Sequence, residues 1–119
     1  MYIDEFRDYC LVKPGVTEET PFGPDTLVMK VMNKVFALTG IVEYEFINLK
    51  CDPERAAELR EQYEGIRPGW HMNKTHWNSV FVDGSVPENL MCELIDHSYE
   101  LIVDSLPKKL KEELKGMMN

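Results

Sequence analysis

Apolar residues recur along this chain with two periods, and the switches between them mark out its elements. Ile3, Phe6, Tyr9 and Cys10 fall at helical spacing, with Asp4, Glu5, Arg7 and Asp8 on the other side. That spacing predicts a helix from Tyr2 to about Leu11, ended by Lys13-Pro14-Gly15. The turn-rich stretch "PGVTEETPFGPD" follows, with one short strand expected around Val16 to Phe22. "TLVMKVMNKVFALTG" then reads as a hairpin: Leu27 to Met32 and Val35 to Leu38 are strand-like, and Asn33-Lys34 is the expected two-residue turn.

In "YEFINLKC" the residues alternate, with Tyr44, Phe46, Asn48 and Lys50 on one face and Glu45, Ile47, Leu49 and Cys51 on the other. The period then changes. "CDPERAAELREQYEG" is a helix capped by Asp52, with Pro53 in its first turn, a stripe of Ala56, Leu59 and Tyr63, and Gly65 as its stop. "HWNSVFVDG" alternates again and ends at the Asp83-Gly84 turn. The longest helix is "SVPENLMCELIDHSYELIVDSL", where Ser85 and Glu88 suggest a capping box. Met91, Leu94, Ile95, Ser98, Leu101, Ile102 and Ser105 trace its inner face, and Pro107 breaks it. A polar tail, "KKLKEELKGMMN", is expected to be helical and to fray from about residue 107.

The order is helix, three or four strands, helix, one or two strands, helix. That is a single α+β domain over residues 1–119: two layers, with an antiparallel sheet packed by helices. With 119 residues and 44% apolar content the chain can bury ~65% or more of its unfolded surface without a disulfide or metal. Cys10, Cys51 and Cys92 are odd in number and form no CxxC pair, which suits a reducing compartment. The N-terminus has no signal-peptide pattern, and no apolar run approaches the ~20 residues of a membrane span, so a cytoplasmic protein without a membrane role is expected.

Charge is unevenly spread along the chain. The formal net charge is −8, which opposes general affinity for polyanions. Yet there is no carboxylate from Thr26 to Val42, where Lys30 and Lys34 stand. There is none from Gly65 to Val82 either, where Arg67, His71, Lys74 and His76 stand. The second window contains "GWHMNKTHWNS", with both tryptophans, two of the three histidines and a lysine.

Three chemistries compete for that segment. His71 and His76 have an HxxxxH spacing, but no cysteine pair completes a zinc site, so no metal or other cofactor is expected. Catalysis finds no support: no GxSxG or phosphate-binding glycine motif is present. Asp96-His97-Ser98 lie next to one another on a helix, about a hundred degrees apart, and cannot relay a proton. His97 is expected to be a hydrogen-bonded packing residue. Nucleic-acid binding has the right ingredients in Lys74, the imidazoles and the tryptophans. The competing reading is structural: Trp70 or Trp77 plugs the interface between sheet and helices.

Three stretches carry a resemblance across nearly the whole chain: "VKPGVTEETPFGPDTLVMKVMNKVFAL", "INLKCDPERAAELREQYEGIRPGWHMNKTHWNSVFVDG" and "LIDHSYELIVDSLPKK". Together they resemble the MmcQ/YjbR family of small bacterial proteins, in which the aromatic after Pro-Gly is often tyrosine where this chain has Trp70. The resemblance implies an α+β fold likened to secretion chaperones. It also implies non-enzymatic DNA binding through a double-wing arrangement of hairpins. Carried over to this chain, the nucleic-acid contacts would be Lys30, Lys34, Lys50, His71, Lys74, His76 and Trp77, with Trp77 holding the loop more than stacking. Four to six phosphate contacts would give weak, salt-sensitive binding. Two other readings stay open. One is a protein-interaction or homodimerising module, with Met29, Met32 and Met72 as adaptable contacts. The other is a small-molecule pocket around Lys50, His71 and Asn73.

Overall fold

In the computed structural model, which describes residues 1–118, the chain forms four helices and six strands. The order is α1 (Ile3–Leu11), β1 (Val16–Glu19), β2 (Thr26–Val31), β3 (Lys34–Gly40), β4 (Phe46–Lys50), α2 (Pro53–Gln62), β5 (Ile66–Pro68), β6 (Trp77–Phe81), α3 (Glu88–Asp104) and α4 (Lys108–Met117). The strands make one antiparallel sheet in the order β1-β2-β3-β4-β6-β5. The two-layer α+β architecture is thus the one the apolar pattern predicts. Among the described residues no helix is long and apolar enough to cross a membrane.

The core lies between the sheet and the helices. Leu27, Met29 and Val31 of β2, Ile47 and Leu49 of β4 and Val80 of β6 point inward. They meet Phe6 and Cys10 of α1, Ala56 and Leu59 of α2, and Met91, Leu94, Ile95, Tyr99 and Ile102 of α3. On α3 the buried face runs through Tyr99, whereas Leu101 is only half-buried and Ser105 is exposed. Tyr99 packs edge-on against Phe36, with ring centroids 5.5 Å apart, and donates to the Pro14 carbonyl at 2.7 Å.

Several boundaries differ from the sequence expectation, each for a local reason. The β2–β3 turn is Met32-Asn33, not Asn33-Lys34. Both turn residues have positive φ (49° and 70°), the mirror-image geometry that matches strand twist, and Lys34 pairs with Val31 as the first residue of β3. A bulge beside Met29 leaves Phe36 as an extra residue of β3, so Phe36 and Ala37 are both buried in the core. The capping box at Ser85 does not form. The Ser85 hydroxyl donates to Asp83 Oδ1 at 2.6 Å, and α3 begins only after Pro87. Helix α2 ends when Tyr63 turns extended, two residues before Gly65.

The polar tail packs. Leu114 of α4 is fully buried, and its Cδ1 lies 2.6 Å from where a Cβ on Gly15 would stand, so Gly15 makes the seat for this helix. Two of the three cysteines, Cys10 and Cys51, are core residues whose thiols burial pushes up to about 12 and about 11.

Candidate functional site on the open sheet face

Strand alternation leaves one face of the sheet without helices. Its residues follow from register: Val28 and Lys30 of β2, Leu38 of β3, Phe46, Asn48 and Lys50 of β4, Trp77, Ser79 and Phe81 of β6. The segment 69–76, between β5 and β6, folds back over this face. Gly69 permits that, because a Cβ there would lie 2.8 Å from Trp77 Cβ and 3.0 Å from the Trp77 carbonyl oxygen. The Lys74 ammonium donates to the Gly69 carbonyl at 2.9 Å, and Asn73 Oδ1 accepts from the backbone of Thr75 and His76. His71 has φ of 58°, a left-handed conformation that only a well-anchored loop keeps in a non-glycine residue.

At the centre of this anchoring stand two facing residues, Asn48 and Ser79, only 4% and 2% exposed. The Trp70 N–H donates to Ser79 Oγ at 3.0 Å. Ser79 Oγ donates to Asn48 Oδ1, and Asn48 Nδ2 donates to the Trp70 carbonyl at 3.1 Å. Both backbone polar groups of Trp70 are thereby tied to the sheet, while its side chain remains 62% exposed. The indole stands edge-on to the His71 ring at 4.6 Å.

Trp70 borders two hollows. The first, about 450 Å³, is lined by Phe22, Leu38, Phe46, Asn48, His71 and Met72, among others, and is mostly apolar. Phe22, at its mouth, is 71% exposed. The second, about 830 Å³, shares Phe46 and Trp70 and adds Asp25, Glu43, Glu45, Arg67 and Phe81. Arg67 lies over the Phe81 ring at 4.8 Å.

Charge on the sheet layer is polarised. The acidic hollow is at the end where β2 starts and β3 ends, whereas Lys30, Lys50 and the hairpin tip lie at the other. Over residues 16–50 and 66–81, five cations (Lys30, Lys34, Lys50, Arg67, Lys74) balance five carboxylates (Glu18, Glu19, Asp25, Glu43, Glu45). The whole net charge of −8 therefore belongs to the rest of the chain.

The residues singled out from sequence separate into groups. Lys30 and Lys50 are on the open face, but Lys30 pairs with Glu19 at 3.4 Å. Lys34 faces the helix side of the sheet, because its partner Val31 does, and it is exposed there. Neither Lys34 nor Lys50 makes an ion pair among the described residues. Lys74 is tied to its own loop and His76 is exposed. His71 lines the apolar recess, whereas Lys50 and Asn73 do not. Neither tryptophan plugs the interface between sheet and helices: Trp77 lies half-buried under the loop, and Trp70 is displayed. Trp70, Phe22, Phe46, Asn48 and Ser79 are not among the contacts expected from the sequence, although Trp70 stands in the segment "GWHMNKTHWNS". The alternation of "YEFINLKC" did put Phe46 and Asn48 on one face; what it lacked was the knowledge that no helix covers that face.

The Asp96-His97-Ser98 run is divided as expected. Asp96 accepts from the Tyr9 hydroxyl at 2.9 Å and pairs with Lys13. His97 Nε2 accepts from the Asp52 N–H at 3.1 Å, and burial, then the nearby Arg55, lowers its pKa. Ser98 Oγ accepts from the Lys50 N–H and donates to the Phe36 carbonyl. Among the described residues no three His, Cys, Asp or Glu side chains converge as a metal site.

Fold and site together define a two-layer α+β domain with an uncovered, aromatic-walled sheet face. The chain belongs to the YjbR family, whose model matches residues 11–101. It is 36% identical to the uncharacterised Escherichia coli K12 protein YjbR over 94% of this chain and 96% of that one. To the uncharacterised protein YbdF of Escherichia coli O157:H7 it is 42% identical over 75% of this chain and 74% of that one. Its fold is similar to the crystal structure of Deinococcus radiodurans protein DR2400, a DUF419 domain, with a TM-score of 0.89 and 40% identity, covering 95% of this chain and 87% of that one.

Proposed function

We propose that this chain is a binding protein rather than a catalyst, and that it binds DNA weakly on the open sheet face. The observation that carries the reading is the displayed, backbone-anchored Trp70 beside a recess, on the layer of the molecule that carries no net charge. An uncovered antiparallel sheet with exposed aromatics is a recurrent platform for nucleic acid. The phosphates belong at the lysine end, on Lys50 with Lys30 on the same face, and away from Asp25, Glu43 and Glu45. Few contacts mean a shallow dependence on salt, in keeping with the acidic helical layer behind the sheet.

The test is anisotropy of a labelled 20-nucleotide DNA, single-stranded and duplex, titrated with protein from low to physiological salt. Saturable binding should weaken linearly in log affinity against log salt. Lys50→Glu should weaken it further and flatten the slope by about 0.7–0.9. Absence of binding to either form at low salt and high micromolar protein would overturn the reading. A protein partner is a second reading, favoured by the exposed apolar side chain of Val42 in the acidic hollow, with exposed Ile41 next to it in the chain and exposed Phe22 at the neighbouring recess. It predicts a concentration-dependent mass or capture of an apolar, basic peptide by the wild type, lost in Val42→Asp.

A further inference from the structure

We infer that the apolar recess beside Trp70 is a seat for one unpaired nucleobase, and that Asn48 and Ser79 are positioning residues that hold Trp70 ready for it. The inference rests on the DNA-binding reading and narrows it to single strands. Three observations lead to it. The recess, about 450 Å³, lies within the usual size of small-ligand clefts, and its walls are the aromatic and apolar side chains of Phe22, Leu38, Phe46, Trp70 and Met72. A planar, largely apolar ring suits such walls, and a base inside a duplex cannot reach them.

The second observation is the presentation of Trp70. A large aromatic that is 62% exposed loses affinity if binding must first order it, because ordering costs conformational entropy. Here the ordering is done beforehand. The ring of bonds from Trp70 N–H to Ser79, Ser79 to Asn48, and Asn48 to the Trp70 carbonyl ties both backbone polar groups of the tryptophan to the sheet. Two polar side chains buried on the face that has no helices have no core to stabilise. Their bonds all serve to place this loop.

The third observation is what surrounds the recess. Lys50 lies two residues along β4 from Asn48 on the same face, so a phosphate flanking a seated base has a cation within reach. On the other side of Trp70 the hollow sets three carboxylates, Asp25, Glu43 and Glu45, against one cation, Arg67, which disfavours a second phosphate there. The strand therefore leaves the recess toward Lys50.

The experiment compares a labelled oligothymidylate with an abasic strand of the same length and charge, in a Trp77→Phe reference chain whose remaining indole is Trp70. The oligothymidylate should quench Trp70 emission and bind about tenfold or more tighter than the abasic strand, an advantage that Trp70→Ala removes without unfolding the protein. Asn48→Asp keeps the acceptor for Ser79 but loses the donor to the Trp70 carbonyl. It should lower the ligand-free anisotropy of Trp70 and reduce oligothymidylate affinity several-fold. Ser79→Ala, a smaller change, should do the same to a lesser degree and serves if the aspartate variant fails to fold. Equal affinity for thymidylate and abasic strands would overturn the base seat while leaving phosphate-led DNA binding standing. Unchanged Trp70 anisotropy in both folded latch variants would overturn the positioning role. Failure of every strand to bind would overturn DNA binding itself.

Discussion

Alternate residues of the same strands meet opposite fates. On β4, Ile47 and Leu49 are sealed under α3, while Phe46, Asn48 and Lys50, one step away, face a surface that no helix covers. On the helix side nearly every contact is apolar. On the open side Val28 is buried too, but there the buried Asn48 and Ser79 are polar and their bonds hold a loop, while Trp70 is left in view. The contrast separates what keeps the molecule folded from what it displays. Burial of a hydrophobe is explained by packing, whereas the buried Asn–Ser pair is satisfied by bonds to the backbone of an exposed tryptophan.

Matched truncations across the sheet test this division between the two faces most directly. Ile47→Ala should cost about 2–5 kcal/mol in urea unfolding, because it leaves a cavity in the core, whereas Trp70→Ala should cost under about 1 kcal/mol. Similar losses for both would mean that the open face is a second core. Ser98→Ala comes next. It removes a buried side chain that bonds α3 to the backbone of both β3 and β4, taking a partner from the Lys50 N–H and the Phe36 carbonyl, and should cost about 1–3 kcal/mol.

The smallest effect is that of pH on His97. Burial and Arg55 lower its pKa in the folded state, so the unfolded chain binds the proton more readily. Its neutral form also accepts the Asp52 N–H, which the protonated ring cannot do. Stability should be fullest above about 6.5, fall as pH drops below that ordinary value, and level off below the folded-state pKa. His97→Gln should flatten that part of the profile in urea midpoints measured from pH 7.5 to 5. An unchanged profile would assign the dependence to other groups.

Much of this architecture is legible in the sequence because each element announces itself by period. The 3.6-residue repeat of α3 and the two-residue alternation of "YEFINLKC" both survive in the structure. Asp52 caps α2 through the Arg55 N–H as its position suggests. Errors arise where one residue breaks a period. The bulge puts Phe36 and Ala37 side by side in the core, and the left-handed Met32 moves the turn back by one, which changes the face that Lys34 occupies. For the site, the segment 69–76 is conspicuous in composition, but composition cannot tell which tryptophan is displayed. That depends on Asn48 and Ser79, thirty-one residues apart, becoming register partners.

The two outermost strands limit how this protein can meet another. A sheet grows when a foreign strand adds along an unpaired edge. Here β5 is three residues long and ends in Pro68, which lacks an N–H to offer. At the opposite edge β1 has four residues, and Arg7 of α1 grips Glu18 through two guanidinium nitrogens at 2.8 and 2.6 Å. Strand addition, with the aggregation and fibre growth that follow from it, is discouraged at both margins. What the sheet leaves open is its broad uncovered face, where Trp70 is displayed.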